Sequence, residues 1–245
     1  FDDRKPIRLF TLTVLLLDLV LALLMVGSFD SALLGFQWVE KYTWIPGLNI
    51  HYQLGVDGIN LLFIPATLLL FIGVVVSSWT VVSSQPRLYY TLLLLLSSSI
   101  LGIFLALDTL LFFLFWELSL IPIYFLIALW GIGPNRRSAA NHYTMIMFAS
   151  GVPILFGLLL SAFHYGAQLE QGGLLFDYTI LSTITLPLEL QGGIFLLLLI
   201  GFAFKTPLFP LHTWLPNITM EGPIAIAIIM TGLKLGAYGL IRFAL

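Results

Sequence analysis

Glu117, Lys205 and Lys234 each sit deep inside an otherwise apolar segment of helical length. A charge near the middle of a bilayer costs about 2.5–3.5 kcal/mol on insertion scales, so one acid and two bases at that depth point to use rather than accident. Pro207 and Pro210 follow Lys205 closely, so one candidate span is broken beside its charge. An intramembrane carboxylate and two ammonium groups can do one kind of chemistry well, the movement of protons or ions across a membrane.

Glu117 lies in DTLLFFLFWELSLIPIY, nine residues after Asp108. That places it roughly 13 Å up a helix that rises 1.5 Å per residue, close to the midplane. Pro122 removes the backbone bond to Leu118 and loosens the helix beside the carboxylate. Two readings stand: a neutral side chain tied to a neighbouring helix, or a proton-carrying acid whose charge a nearby cation holds. Lys205 lies in IGFAFKTPLFPLHTWLP. The two prolines free the carbonyls of Ala203 and Thr206, and irregular backbone at membrane depth is tolerated only where it packs in protein or lines a wet cavity. Glu117 is its expected partner, the alternative being a lysine that snorkels to the nearer interface.

Lys234, in IIMTGLKLGAYGLIRF, is expected roughly 15 Å from either interface, too far to snorkel easily, and reads as a buried, switchable base. Gly232, Gly236 and Gly239 allow a neighbouring helix to approach closely. Arg242 reads as an interface anchor. His212 follows the broken helix and either hands protons to Lys205 or caps a helix end. His51 and His164 are expected in loops as plain polar residues, and His142, at the start of a span, is a weaker relay candidate. No metal-spaced histidine pair, HExxH motif, P-loop or dinucleotide fingerprint occurs, and GIGPNR at 131–136 reads as a turn.

The elements that must position these residues are membrane spans. Of 245 residues 60% are hydrophobic and 9% charged, too few charges to clothe a globular surface. The net charge of −2 lacks the basic stripe that nucleic acid requires. The absence of cysteine excludes disulfides, iron–sulfur clusters and thiolate zinc sites. The run from Leu9 to Phe29 is too long for a signal core and contains Asp18, so it reads as a retained span. About seven spans of roughly 20 residues are predicted, near 9–28, 58–83, 89–107, 109–130, 139–163, 191–214 and 224–245, with 191–214 the broken one. The loops 30–56 and 164–190 are expected to be plain connections, 44–57 lying at the interface. Strict alternation puts Arg4, Lys5, Arg8, Arg87, Arg136 and Arg137 on one side. Asp30, Glu40, Lys41, Asp57, Asp108, Glu170, Asp177 and Glu189 fall on the other. That asymmetry is the positive-inside pattern, so 84–88, 131–138 and 215–223 are expected in the cytoplasm or its equivalent. Trp44, Trp79 and Trp130 fall near the predicted interfaces.

FFLFWELSLIPIYFLIALWG, GFAFKTPLFPLHTWLP and GLKLGAYGLIRF, in this order, resemble the intramembrane glutamate, broken-helix lysine and second lysine segments of the antiporter-like, proton-pumping subunits of complex I. WIPGLNIHYQLGVDGIN is similar to the chain-M or chain-4 branch, including its cyanobacterial and plastid forms. The resemblance implies an all-α polytopic fold of about fourteen helices with two inverted five-helix repeats. Residues 1–245 would form one membrane domain, 1–88 being preceding helices and an interfacial loop and 89–245 the first half-channel. It implies a Glu117–Lys205 pair, Lys234 as the central proton carrier and His212 as the histidine of the HTWLP motif. It further implies no cofactor in this chain, neighbouring antiporter-like subunits as partners, and quinone and NAD(P)H or ferredoxin handled by other subunits of an oxidoreductase. The membrane would be an energy-coupling one, bacterial plasma membrane or thylakoid. A subunit of a multi-subunit cation/proton antiporter and a non-pumping structural spacer are the alternative functions. Two departures stand out: NITMEGPIAIAI replaces an Asp-Ala-His-type stretch followed by Glu-Ala-Pro, and the spacing from Pro223 to Lys234 is shorter than the family's.

Overall fold

The computed structural model describes residues 5–168, 173–183 and 185–244. Arg4 and Glu170, two of the charges used to assign sidedness, lie outside the described residues.

Helix α1 (Lys5–Ser28) is followed by strands β1 (Gln37–Ile45) and β2 (Ile50–Val56), then by α2 (Phe63–Ser78) and α3 (Pro86–Leu105). Next come α4 (Thr109–Leu118), α5 (Leu120–Trp130), the long α6 (Arg136–Gln168) and the single turn α7 (Tyr178–Leu181). The chain continues through α8 (Leu188–Lys205), α9 (Trp214–Glu221), α10 (Ile224–Gly232) and α11 (Leu235–Gly239), and Leu240–Ala244 form a π-helical turn. Among the described residues, six stretches are helical, long and apolar enough to cross a membrane, α4 with α5 and α10 through Ala244 each counting as one. Phe63–Ser78 is a shorter apolar helix. The chain is a multi-pass membrane protein, mostly helical.

Three expected boundaries move. The predicted span 58–83 shrinks to α2 because Asp57–Leu61 folds into a turn. Asp57 Oδ1 accepts from the Ile59 and Asn60 amides, and Asn60 Nδ2 donates to the carbonyls of Gly55 and Phe104. The predicted span 191–214 ends at Lys205, and the expected loop 215–223 is largely the helix α9. The last span is interrupted at Leu233–Lys234, where both residues leave helical geometry.

The interfacial loop is corrected more sharply, since it is an antiparallel hairpin pairing Lys41 with Gln53, Tyr42 with Tyr52 and Thr43 with His51. Asn49 turns the chain in the left-handed conformation (φ 54°), which asparagine tolerates better than most residues. β1 faces outward, while β2 lies on the helix ends with Ile50, Gln53 and Val56 buried. His51 therefore sits on a strand and His164 inside α6, not in loops.

The tertiary contacts sort the molecule into two ends. At one, Arg8 Nη2 donates to the Val82 carbonyl (3.2 Å) and Trp130 Nε1 to that of Ser84 (2.9 Å). At the other, Lys41 pairs with Asp177 (2.6 Å), Arg242 with Asp57 (2.5 Å), and the His51 amide donates to Asp108 Oδ2 (2.9 Å). Arg242, with 1% of its side chain exposed, lies over the rings of Phe36 and Tyr178 (4.8 and 4.7 Å), a buried, ion-paired residue where the sequence suggested an interface anchor. The basic and acidic loops thus separate as alternation requires.

Candidate functional site

Helix α4 begins on a strong cap. Asp108 is fully buried, and its Oδ1 accepts from the amides of Leu110 and Leu111 (3.0 Å each). Such a cap satisfies orphan donors of the first turn. From there the helix runs to Leu118, breaks at Ser119 and restarts as α5. Pro122, whose ring has no N–H for the Leu118 carbonyl, accounts for the weakness there.

Lys205, the last residue of α8, reaches this break. It is 6% exposed, its Nζ donates to Ser119 Oγ (3.0 Å), and it lies 4.0 Å from the centroid of the Trp116 ring. A cation over an indole face, away from water, is held by the ring quadrupole by about 2 kcal/mol. Ser119 Oγ in turn donates to the Trp116 carbonyl (2.7 Å), which fixes the lone pairs it offers the ammonium.

Glu117 and Lys205 share this neighbourhood and feel each other's field, but they do not form a contact ion pair. Both carboxylate oxygens of Glu117 are buried and have no hydrogen-bond partner. The carboxylate presses against α6, where a Cβ added at Gly151 would collide with Oε1. It also lines a pocket of about 560 Å³ with Tyr124, Phe125, Thr144 and Phe148, whose walls are otherwise almost wholly apolar. The expected pair is therefore present as two neighbours, with the lysine resting on a serine and an indole.

The helix break after Lys205 is more thoroughly satisfied than its prolines suggest. The Ala203 carbonyl, one of the two expected to be free, accepts from the Leu208 amide (3.0 Å). Trp214 Nε1 donates to the Phe204 carbonyl (2.8 Å), and Thr206 returns both its amide and its hydroxyl to Phe202. His212 is half-buried at this break. Its Nδ1 is buried without a partner, its ring lies 5.8 Å from that of Phe209, and it makes no hydrogen bond to Lys205.

Lys234 stands apart. It occupies the gap between α10 and α11 with an exposed side chain, rather than the buried interior of a continuous helix. The sequence places it at mid-span as a buried, switchable base, whereas at the gap its side chain is exposed on the surface of this chain. The backbone around it is nonetheless packed on the Lys205 helix. A Cβ at Gly236 would strike the Phe202 carbonyl and Thr206, and one at Gly239 the Phe202 ring. Those glycines, and Gly232 against Leu70, do permit the close approach their spacing implied. His142 is exposed near the start of α6.

Sequence reasoning missed Trp116, Ser119, Gly151 and Trp214. The first two are visible in hindsight as the polar and aromatic neighbours of Glu117, and Gly151 as part of a Ser-Gly-x-Pro run inside a span. Among the described residues, no group of three or more His, Cys, Asp or Glu is placed to hold a metal ion.

The fold and these residues define a class: a polytopic helical membrane protein with a broken helix carrying an intramembrane lysine beside an intramembrane glutamate. Residues 106–245 match the family described as NADH:quinone oxidoreductase/Mrp antiporter, TM, and the chain belongs to that family. It is 39% identical over 244 residues to NAD(P)H-quinone oxidoreductase chain 4 1 of Synechococcus, a match covering 98% of this chain and 44% of that protein. It is 37% identical to the chloroplastic chain 4 of Chaetosphaeridium globosum, over 99% of this chain and 48% of the relative. Among solved structures it superposes on a chain of respiratory complex I from Thermus thermophilus with a TM-score of 0.81 and 28% identity, covering 97% of this chain and 48% of the other. The chain therefore spans somewhat under half the length of these relatives.

Proposed function

We propose that this chain forms part of a proton-translocating membrane subunit of an NAD(P)H- or ferredoxin–quinone oxidoreductase, with residues 89–245 as its first half-channel. The complex would sit in an energy-coupling membrane, bacterial or thylakoid, beside other membrane subunits. Electron transfer, quinone and the electron donor belong to those partners. The observation that carries the reading is Lys205, buried at a helix break between Ser119 and Trp116, with the unpartnered carboxylate of Glu117 beside it.

In this reading protons settle on Lys205 and pass to Lys234, whose segment packs on the last turn of α8. His212, across the break, serves as the relay toward Lys205. A unit charge at about 4 Å is worth roughly 4 kcal/mol at an effective dielectric near 20. A small displacement of Lys205 from Ser119 toward Glu117, or back, therefore changes how tightly its proton is held. The unpartnered oxygens of Glu117 support such a gate, because no other hydrogen bond holds the carboxylate away from Lys205.

Glu117→Gln, Lys205→Ala and Lys234→Ala, each made in the full-length chain within its complex, test the reading in sealed vesicles. Proton uptake driven by electron transfer should fall to near background in each, with the complex still assembled. Full translocation by assembled Glu117→Gln and Lys234→Ala complexes would defeat it. A second reading is favoured by the family description, which also names the Mrp antiporter. It expects sodium-dependent transport and no dehydrogenase subunits on co-purification.

A further inference from the structure

Two segments that look like incidental turns in the sequence, GIGPNR at 131–136 and MEGP at 220–223, meet in the structure. The Gly133 amide donates to the Glu221 carbonyl (3.1 Å), and the Asn135 amide donates to Glu221 Oε2 (2.7 Å). The approach is so close that a Cβ at Gly133 would run into the Glu221 carboxylate, and one at Gly131 would meet the Glu221 carbonyl. Arg136 Nη1 closes the turn by donating to the Gly131 carbonyl (2.9 Å). Glu221 thus binds the turn through both its backbone and its side chain.

The two elements joined here each end on Lys205. Gly131 terminates α5, and α5 starts at Ser119, which accepts the Lys205 proton donor. Glu221 ends α9, and α9 starts at Trp214, which donates to the Phe204 carbonyl one residue before Lys205. The Trp214 ring is also backed by that of Tyr143, with centroids 5.3 Å apart. The chain of contacts is a closed ring: Lys205, Ser119, α5, the Gly131–Asn135 turn, Glu221, α9, Trp214 and back to the last turn of α8.

We propose that Glu221 is a positioning residue for proton transfer, a clasp that keeps α9 and the broken end of α8 in register with α5, and so holds Lys205 on Ser119 and Trp116, beside Glu117. This rests on the reading of Lys205 and Glu117 as parts of the proton path. The feature required of Glu221 is an acceptor oxygen for the Asn135 amide, not its charge. Glutamine supplies that oxygen and alanine does not.

The test uses the assembled full-length complex in sealed vesicles and reads protons moved per electron. In Glu221→Ala the ratio should fall clearly below that of the unsubstituted complex, and Glu221→Gln, which keeps the acceptor oxygen, should restore most of the loss. Asn135→Pro, which removes the donating N–H and leaves Glu221 untouched, should reproduce the loss and add little to that of Glu221→Ala, as partners in one interaction do. An assembled Glu221→Ala complex that pumps at the full ratio overturns the clasp, as does a glutamine variant as damaged as the alanine one. If Glu221→Ala does not assemble, Asn135→Pro decides, and a full ratio there is equally fatal. Glu117→Gln in the same vesicles separates the two ideas. Loss there with no loss on breaking the clasp leaves the path standing and removes only Glu221.

Discussion

Glu117 owes its isolation to a glycine. The carboxylate rests on the backbone of α6 at Gly151, where an added Cβ would overlap Oε1, and neither oxygen finds a donor. Gly151→Ala should therefore displace Glu117 and reduce translocation severely. Gly73→Ala should leave it unchanged, because an added Cβ there meets nothing within 4 Å. Comparing vesicle proton uptake of the two variants, normalised to assembled complex, checks this; equal activities would show that the carboxylate does not need its place. The acid and the lysine were legible in the sequence because a charge in an apolar run is expensive wherever the helix lies. Gly151, Ser119 and Trp116 were not. A glycine, a serine or a tryptophan in a span costs little by itself, and only the packing of α4 and α8 against α6 shows what each one touches.

At the scale of elements, the hairpin and the helix ends are locked by two carboxylates of opposite titration behaviour. Burial would raise Asp177, but Lys41 and the amide and hydroxyl of Thr179 outweigh it and hold the carboxyl below its usual value. Asp108 goes the other way: burial raises it, and the amides of His51, Leu111 and Leu110 only partly oppose that. The depressed group stabilises the fold above the ordinary carboxylate value of about 3.9, and its contribution is lost as pH falls through the lower folded value. The raised group stabilises below about 3.9 and its contribution fades as pH rises through its folded value. At neutral pH the hairpin therefore depends on Asp177. Lys41 has 42% of its side chain exposed, so the ion pair is partly screened, and the charge-assisted hydrogen bonds from Thr179 add to that from Lys41. Asp177→Asn should cost about 1–2 kcal/mol locally, and amide exchange in β1 and β2 should quicken about 5–30-fold. Unchanged exchange at pH 7 would show the pair to be idle. None of this was legible beforehand, because the alternation in IHYQLGV is short and irregular, and the second edge of β2, the one away from β1, meets a helix end distant in sequence, at Ala106–Leu107.

For the molecule as a whole, the strongest consequence of the fold is its sidedness. Strict alternation of spans predicted one basic and one acidic end, and the contacts at each end agree. Arg8, Ser84, Trp130, Asn135 and Glu221 are linked at one, and Lys41, Asp57, Asp108, Asp177 and Arg242 at the other. The agreement matters because α9, expected as loop, is a helix, and an extra helix could have carried Glu221 to the wrong end. It does not, since α8 and α9 together cross once, with the break between them. The absence of cysteine from these residues makes the arrangement directly measurable. Arg137→Cys and Glu189→Cys, both at exposed positions, should react with a membrane-impermeant maleimide from opposite faces of the membrane. Met220→Cys, 74% exposed near the end of α9, should react from the same face as Arg137→Cys. Labelling is compared with that of the unsubstituted complex, so that thiols elsewhere are subtracted. Arg137 and Glu189 reacting from one face would break the alternation, and with it the path from Lys205 to Lys234. Met220 reacting from the face of Glu189 would instead place α9 on the wrong side of the break and leave Glu221 unable to reach the turn at Gly133.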